Sequence, residues 1–113
     1  MTRIYKILPR ADWAAAHEAG RYEGSPLDRA DGFIHFSTAA QAQETARRHF
    51  AGQADLVVLE VEADDLGEAL RWEPSRGGDL FPHLYAPLET ALVRAVTEAP
   101  LGPDGAPRIE ISE

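Results

Sequence analysis

The sequence has no cysteine, few basic residues and no long hydrophobic run. Without cysteine there is no disulfide, no thiolate nucleophile and no cysteine-ligated zinc. Its 11 lysines and arginines stand against 19 aspartates and glutamates, and the net charge of −8 disfavours nucleic acid as a partner. No segment approaches the roughly 20 apolar residues of a membrane helix, and we find no apolar signal segment. These absences predict a cytoplasmic protein that binds neither a membrane nor nucleic acid.

The sequence also lacks the short motifs of several common enzyme classes. GxGxxG, the P-loop and GxSxG are absent, so a Rossmann site, a phosphate-binding loop and a serine triad are unsupported. The four histidines show no HExxH or HxH spacing, and we therefore predict no metal site. Any chemistry has to come from side chains that the fold brings together.

The pattern of apolar and turn-forming residues predicts one α+β domain. The 113 residues, 44% of them hydrophobic, suit one modest core. The predicted elements are a strand over 4–8, a helix over 11–19, a loop over 21–31, a strand over 32–36, a helix from 37 or 38, a strand over 56–61, a helical turn over 64–69, and strands over 70–73, 91–97 and 108–112. Because most late strands are linked by turns, we expect a mostly antiparallel mixed sheet with two main helices, in which 108–112 pairs with 91–97.

The second helix has the clearest start signal in the chain. Thr38 and Gln41 have the spacing of a capping box, in which two side chains bond the backbone at a helix N-terminus. The apolar stripe of this helix is predicted to be Ala42, Ala46 and Phe50.

Two phrases, residues 32–38 and 81–85, each place one histidine inside an apolar, strand-like run. Histidine titrates near neutral pH and can serve as acid, base, hydrogen-bond donor or ligand. A core does not need His35 and His83, so the two phrases together indicate a pocket.

His35 and Ser37 share one face of the predicted strand, just before a helix N-terminus, while Ile34 and Phe36 share the core face. A helix N-terminus attracts phosphates and carboxylates, which favours a polar ligand platform here. The alternative is a histidine bonded to backbone beside a simple helix cap. The residues alone do not choose between these two interpretations.

His83 lies between Pro82 and Pro87, close to Tyr85. Proline fixes its own φ, so an imidazole and a phenol are held rigidly in this segment. Rigid placement suits recognition of a ligand, and it equally suits a structural turn.

Glu73 follows Trp72 and precedes Pro74. Desolvation beside a large aromatic ring raises the pKa of a carboxyl group, so Glu73 is a candidate base or ribose ligand. The alternative is a solvated carboxylate at a strand end. Weaker candidates are Tyr5, Lys6 and Arg21, whereas we expect His17 and His49 to be solvated on helix surfaces.

These phrases resemble a bacterial family filed as domain of unknown function 952, and the resemblance covers residues 3–96. The label implies no particular reaction. The residues that carry the resemblance are Ile4, Tyr5, Lys6, Ile7, Trp13, the run 31–38, Gln41, Arg71, Trp72, Glu73 and the run 81–85.

More distantly, the order of a first strand, a helix, a loop, a Gly-x-x-His-x-Ser strand and another helix is similar to the NAD-binding half of ADP-ribosyltransferase-like proteins, including RNA 2′-phosphotransferases. This resemblance implies an ADP-ribosyltransferase-like core with NAD as a substrate. It places Tyr5 or Lys6 at the NAD ribose and His35, with Ser37, at the nicotinamide side. Many members have a histidine on the first strand, but this sequence has none there, and Lys6 stands near that position. The arginines that bind an RNA 2′-phosphate are not evident either.

Three functions follow from these expectations. An enzyme would cleave or transfer at the N-glycosidic bond of NAD or a related ADP-ribose compound, with His35, Glu73 and His83 as catalytic residues. A non-catalytic module would bind a small anionic metabolite or nucleotide in the same pocket, and a structural or interaction domain would satisfy both histidines internally. The predicted ligand-binding residues are Tyr5, Lys6, Arg21, Ser37, Thr38, Trp72 and Tyr85.

Overall fold

A computed structural model describes residues 2–110, which form an α+β arrangement as the sequence predicts. The elements in chain order are β1 (Arg3–Pro9), α1 (Arg10–Ala19), β2 (Arg21–Tyr22), α2 (Pro26–Asp31), β3 (Ile34–His35), β4 (Ser37–Thr38), α3 (Ala39–His49), β5 (Leu56–Glu62), β6 (Leu70–Pro74), β7 (Leu80–Leu84), β8 (Leu88–Glu89) and β9 (Val93–Ala99). Short 3-10 turns cover Ala63–Ala69, Arg76–Gly78 and Thr90–Leu92.

The main sheet has the strand order β4-β1-β5-β9, and all its pairings are antiparallel. β5 is the apolar run that was predicted to be central, and it pairs with β1 residue by residue along its whole length. Because side chains alternate along a strand, β5 contributes to two cores. One core includes Ala16 of α1, and the other includes Ala46 of α3.

A smaller sheet, β3-β7-β6, supports both histidine phrases. β4 pairs with β1 only at Ser37 and Thr38, and β3 pairs with β7 instead. The strand predicted over 32–36 is therefore present only at Ile34 and His35, and it does not continue through Phe36 into β4. Phe36 separates the two pieces because its ring is buried and its N–H donates to the carbonyl of Pro82 at 3.0 Å. At Phe36 the chain passes from the small sheet (β3) to the main sheet (β4). We call the gap between the two sheets, where β3 and β4 diverge, the fork.

The predicted loop over 21–31 is also wrong, because it contains β2 and α2. Ser25 and Asp28 form a reciprocal capping box at the start of α2, and Pro26 occupies its first turn. β2 pairs with β8 in a separate two-stranded sheet. Six helical residues are too few for a hydrophobic period, so the glycine- and proline-rich composition favoured a loop.

The end of the chain departs from the predicted pairing of 108–112 with 91–97. The N–H of Arg108 donates to the carbonyl of Pro100, and Leu101 forms an isolated bridge with Pro107. Ile109 instead donates its N–H to the side chain of Gln43 on α3 at 3.0 Å, which draws the segment away from β9. Residues 111 and 112 of the predicted strand lie outside the described residues.

The capping box predicted at Thr38 and Gln41 is confirmed, since each side chain bonds the backbone of the other at the start of α3. Ala42 and Ala46 are buried, and Phe50 packs against the core that contains Ala46. None of the helices within residues 2–110 combines the length and apolar character needed to span a membrane.

Candidate functional site

A cavity of about 370 Å³ lies in the fork between the two sheets. Its walls come from β1, β3, β4 and β7, with α2 and α3 on either side. Its volume falls within the range of about 300–1,000 Å³ that is typical of small-molecule pockets. His35 and His83 both line it, so the structure brings the two phrases to one place.

Lys6 and Asp28 form a buried ion pair in the cavity wall. The ammonium of Lys6 contacts both carboxylate oxygens of Asp28, at 3.1 and 2.9 Å. Lys6 is 6% exposed and Asp28 is 2% exposed. Asp28 also accepts the backbone N–H groups of Ser25 and His35. This carboxylate therefore ties β1, α2 and β3 together.

His35 is held between two carboxylates. Its Nδ1 lies 2.5 Å from Oδ1 of Asp28, and its Nε2 lies 2.9 Å from Oδ2 of Asp31. Both ring nitrogens are therefore engaged. A proton transfer from His35 to a ligand would require one contact to open, and the more exposed partner is Asp31.

The ion pair shifts the pKa values of both partners. Burial lowers the pKa of Lys6, and its attraction to Asp28 offsets only part of this effect. Burial alone would raise the pKa of Asp28, but the hydrogen bond from His35 and the charge of Lys6 outweigh it and hold that pKa well below its usual range. Asp28 is therefore ionised at neutral pH.

Gly24 leaves room for this carboxylate, and its replacement by alanine provides a test. A Cβ at Gly24, whose φ is +104°, would lie 2.9 Å from the Cβ of Asp28. Gly20 has a φ of +90° but nothing within 4 Å of a built Cβ, so Gly20→Ala isolates the backbone strain. We expect Gly20→Ala to cost about 1–2 kcal/mol of unfolding free energy.

Gly24→Ala should add about 1–3 kcal/mol to that strain, because a close-packed neighbour has to move. Thermal or urea unfolding of the two variants measures the difference. Equal losses of stability would show that Asp28 is not packed against Gly24.

His83 forms a second histidine–carboxylate pair. Its Nδ1 lies 2.8 Å from Oε1 of Glu73, and the hydroxyl of Tyr85 donates to the same oxygen at 2.6 Å. When Nδ1 carries the proton that Glu73 accepts, Nε2 of a neutral imidazole is free to act as a base.

The two histidines are direct neighbours across the small sheet. His35 lies opposite His83 in the pairing of β3 with β7, and their ring centroids are 5.6 Å apart. The ring of Phe33 stacks on the His83 ring, with 4.1 Å between the ring centroids. It is tilted against the His35 ring, with 4.6 Å between the centroids. Phe33 therefore restricts both imidazoles, a role that its place in the apolar run did not reveal.

The expected rise in the pKa of Glu73 is wrong. The hydrogen bonds from Tyr85 and His83 lower the pKa of Glu73, and burial opposes them only in part. Trp72 does not desolvate this carboxylate, because neighbouring residues of β6 point to opposite faces. The hydrogen bond between Tyr85 and Glu73 raises the pKa of the Tyr85 hydroxyl.

The other predicted site residues divide between the cavity and its surroundings. Tyr5, Lys6 and Ser37 line the cavity. The following predicted ligand residues contribute no part of its lining: Arg21, Thr38, Trp72 and Tyr85. Arg21 of β2 pairs with Glu23, which follows the strand, whereas Thr38 caps α3. His49 was expected on a helix surface, and it is exposed but also lines the cavity.

Sequence reasoning missed the two carboxylates that hold His35. Asp28 and Asp31 fell in the predicted loop and received no role. The spacing of Ser25 and Asp28 is a capping signal that places Asp28 at the third residue of a helix, and it was available in the sequence. Among residues 2–110, no group of three or more histidines or carboxylates is arranged to hold a metal ion.

The fold and the site define an α+β protein of antiparallel sheets with a histidine-lined cavity in the fork between them. The family model described as "Protein of unknown function (DUF952)" matches residues 7–96. The chain belongs to this family, as the resemblance of its histidine phrases predicted.

Two solved structures of protein CC0527 from Caulobacter crescentus are similar to this chain. The X-ray structure is 58% identical, with a TM-score of 0.93 over 95% of this chain and 94% of that chain. The solution NMR structure is 59% identical, with a TM-score of 0.85 over 95% of this chain and 92% of that chain. No curated protein matches the sequence. The remoter resemblance to ADP-ribosyltransferase-like proteins stays a prediction.

Proposed function

We propose that this protein is an enzyme that cleaves or transfers at the N-glycosidic bond of NAD or a related ADP-ribose compound. The observation that carries the proposal is the pair formed by His83 and Glu73, with His83 in the wall of a cavity of small-ligand size. A histidine held by a carboxylate is suited to acid–base catalysis, which typically contributes about 10²–10⁴-fold to a rate.

His83 is assigned the proton transfer in this proposal. Its Nε2 would take a proton from the attacking water or acceptor, whereas the nicotinamide of NAD leaves as a neutral base and needs no proton. Glu73 lies behind His83 rather than in the cavity lining, so it acts through the imidazole by fixing its tautomer. This differs from the role expected from the sequence, in which Glu73 itself would act as a base or as a ribose ligand.

The charges in the cavity favour the ribose and the base as the part of the ligand that enters. Asp28 neutralises Lys6, and Asp31 adds a negative charge, so the wall does not attract phosphate. Tyr5 and Ser37 line the cavity and carry hydroxyl groups of the kind that bond a ribose; within the protein these hydroxyls contact Glu60 and Thr45. We place the phosphates outside, toward the exposed Arg71, which lies opposite the cavity-lining His83 in the pairing of β6 with β7.

A second function, binding of a nucleotide without turnover, is favoured by the geometry of His35. Both of its ring nitrogens are occupied by carboxylates, so it is suited to holding the site rigid rather than to proton transfer. In this role the cavity would recognise its ligand through hydrogen bonds alone.

Incubation of the purified protein with NAD, followed by chromatography for nicotinamide and ADP-ribose, tests the proposal. We expect product above the buffer blank, and loss of that product in Glu73→Gln. Thermal stabilisation by NAD or ADP-ribose without product would support the binding function instead. Neither product nor stabilisation at millimolar ligand would overturn both functions.

A further inference from the structure

Lys6 is the only lysine in the chain, and every other basic side chain among its 11 lysines and arginines is an arginine. The two residues differ chemically, because a guanidinium does not lose its proton in a protein whereas a buried ammonium does so readily. The one side-chain amine of this protein is 6% exposed and lines the cavity. The proposed acid–base role of His83 makes no use of it.

We propose that Lys6 is a nucleophile that forms an imine with the carbonyl carbon of a small hydroxylated aldehyde, such as the open-chain form of a sugar. The cavity is accessible from solvent and of small-ligand size, and Lys6 is held within it by two contacts to Asp28. This activity is independent of NAD cleavage and can hold whether or not the protein acts on NAD.

The surroundings of Lys6 match the chemistry of such a substrate. Four residues from separate segments line the same cavity and carry hydroxyl groups that suit a polyol chain: Tyr5, Ser25, Ser37 and Ser75. Three of these hydroxyls also have protein partners, since Tyr5 donates to Glu60, Ser25 accepts from the N–H of Asp28, and Ser37 bonds Thr45. His83 lies in the same wall and can donate a proton to the carbonyl oxygen. Burial lowers the pKa of Lys6, which raises the fraction of free amine.

The reaction is a simple condensation. Lys6 first releases one proton from its ammonium to solvent. The free amine then attacks the carbonyl carbon, and a C–N bond forms as the carbonyl π-bond breaks. The nitrogen then gives up its two remaining protons, and its lone pair forms the second C–N bond as the C–O bond breaks. The former carbonyl oxygen leaves with those two protons as water, so no oxidant or reductant takes part. Hydrolysis of the imine reverses these steps.

Reductive trapping tests the assignment on the intact wild-type protein. The protein is incubated near neutral pH with glycolaldehyde or D-ribose and cyanoborohydride, which converts an imine into a stable secondary amine. Peptide mass spectrometry then locates the adduct. Because Lys6 is the only lysine, the α-amino group of the purified chain is the one other amine that competes.

We expect the adduct on Lys6 to form several-fold faster in the folded protein than on the same lysine in chain unfolded by urea. Lys6→Arg keeps a cation but offers no imine-forming amine, so it should leave only the α-amino adduct. The comparison of folded and unfolded wild type does not depend on whether that variant folds. Adducts confined to the α-amino group, or no acceleration by folding, would overturn the proposal and leave Lys6 as a structural ion-pair partner.

Discussion

Replacing Asp28 with asparagine is expected to lower the free energy of unfolding by about 3–5 kcal/mol, the usual cost of removing one partner of a buried ion pair. Asparagine has nearly the same shape, but it leaves the ammonium of Lys6 buried without a counter-charge. It also withdraws the carboxylate that accepts from His35. Urea unfolding of both proteins measures the loss.

Two further variants separate the charge from the packing. Lys6→Met in the Asp28→Asn background removes the unpaired charge, so it should restore part of the lost stability. Glu44→Gln breaks exposed contacts with Arg47 and Arg48 and should leave the unfolding midpoint nearly unchanged. If Asp28→Asn has as little effect as Glu44→Gln, the buried pair does not stabilise the fold.

Acid unfolding provides an independent reading of the same carboxylate. The pKa of Asp28 is depressed in the folded protein, so its contribution to stability is complete above the ordinary aspartate value of about 3.9 and declines as the pH falls below it. We expect wild-type stability to fall steeply with acidification in this range. The Asp28→Asn variant should show a shallower decline.

Replacing His83 with glutamine is expected to slow any cleavage of NAD by about 10²–10⁴-fold, because glutamine cannot exchange a proton at neutral pH. Glutamine still offers an amide that can bond Glu73, so the local structure should be retained. The rate of nicotinamide release measures the effect, and circular dichroism checks that the variant folds.

His17→Gln is the matched control for this variant. His17 lies on the exposed face of α1 and does not line the cavity. Its ring centroid is 5.4 Å from that of Trp13. Its replacement should leave the rate unchanged. Equal rates for His83→Gln and wild type would exclude His83 as the acid–base residue.

Local sequence patterns were sufficient to predict those elements that are determined by interactions between residues close in sequence. The continuous apolar run of β5 and the capping box at Thr38 and Gln41 each determine an element through residues close in sequence. The break after His35 could not be predicted in this way. It depends on Phe36 donating to the carbonyl of Pro82, a contact between segments distant in sequence.

The same distinction explains the site. The two histidine phrases correctly indicated a pocket, because a histidine inside an apolar run is unusual enough to be informative alone. The partners of each imidazole were not evident, since Asp28 reaches His35 only once α2 has formed, and Glu73 meets His83 through the pairing of β6 with β7. A pKa argument from Trp72 therefore gave the wrong direction for Glu73.

A titration of ¹⁵N-labelled protein with ADP-ribose, followed by ¹H–¹⁵N correlation spectra, tests the central claim most directly. If the cavity binds the ribose end of this ligand, saturable shifts should centre on Lys6, His35 and His83, and they should weaken in His83→Gln. An open groove lined by Val58 and Thr97 provides an internal comparison, because its signals should stay unchanged. Absence of saturable shifts, or shifts confined to that groove, would contradict a nucleotide site between the two sheets.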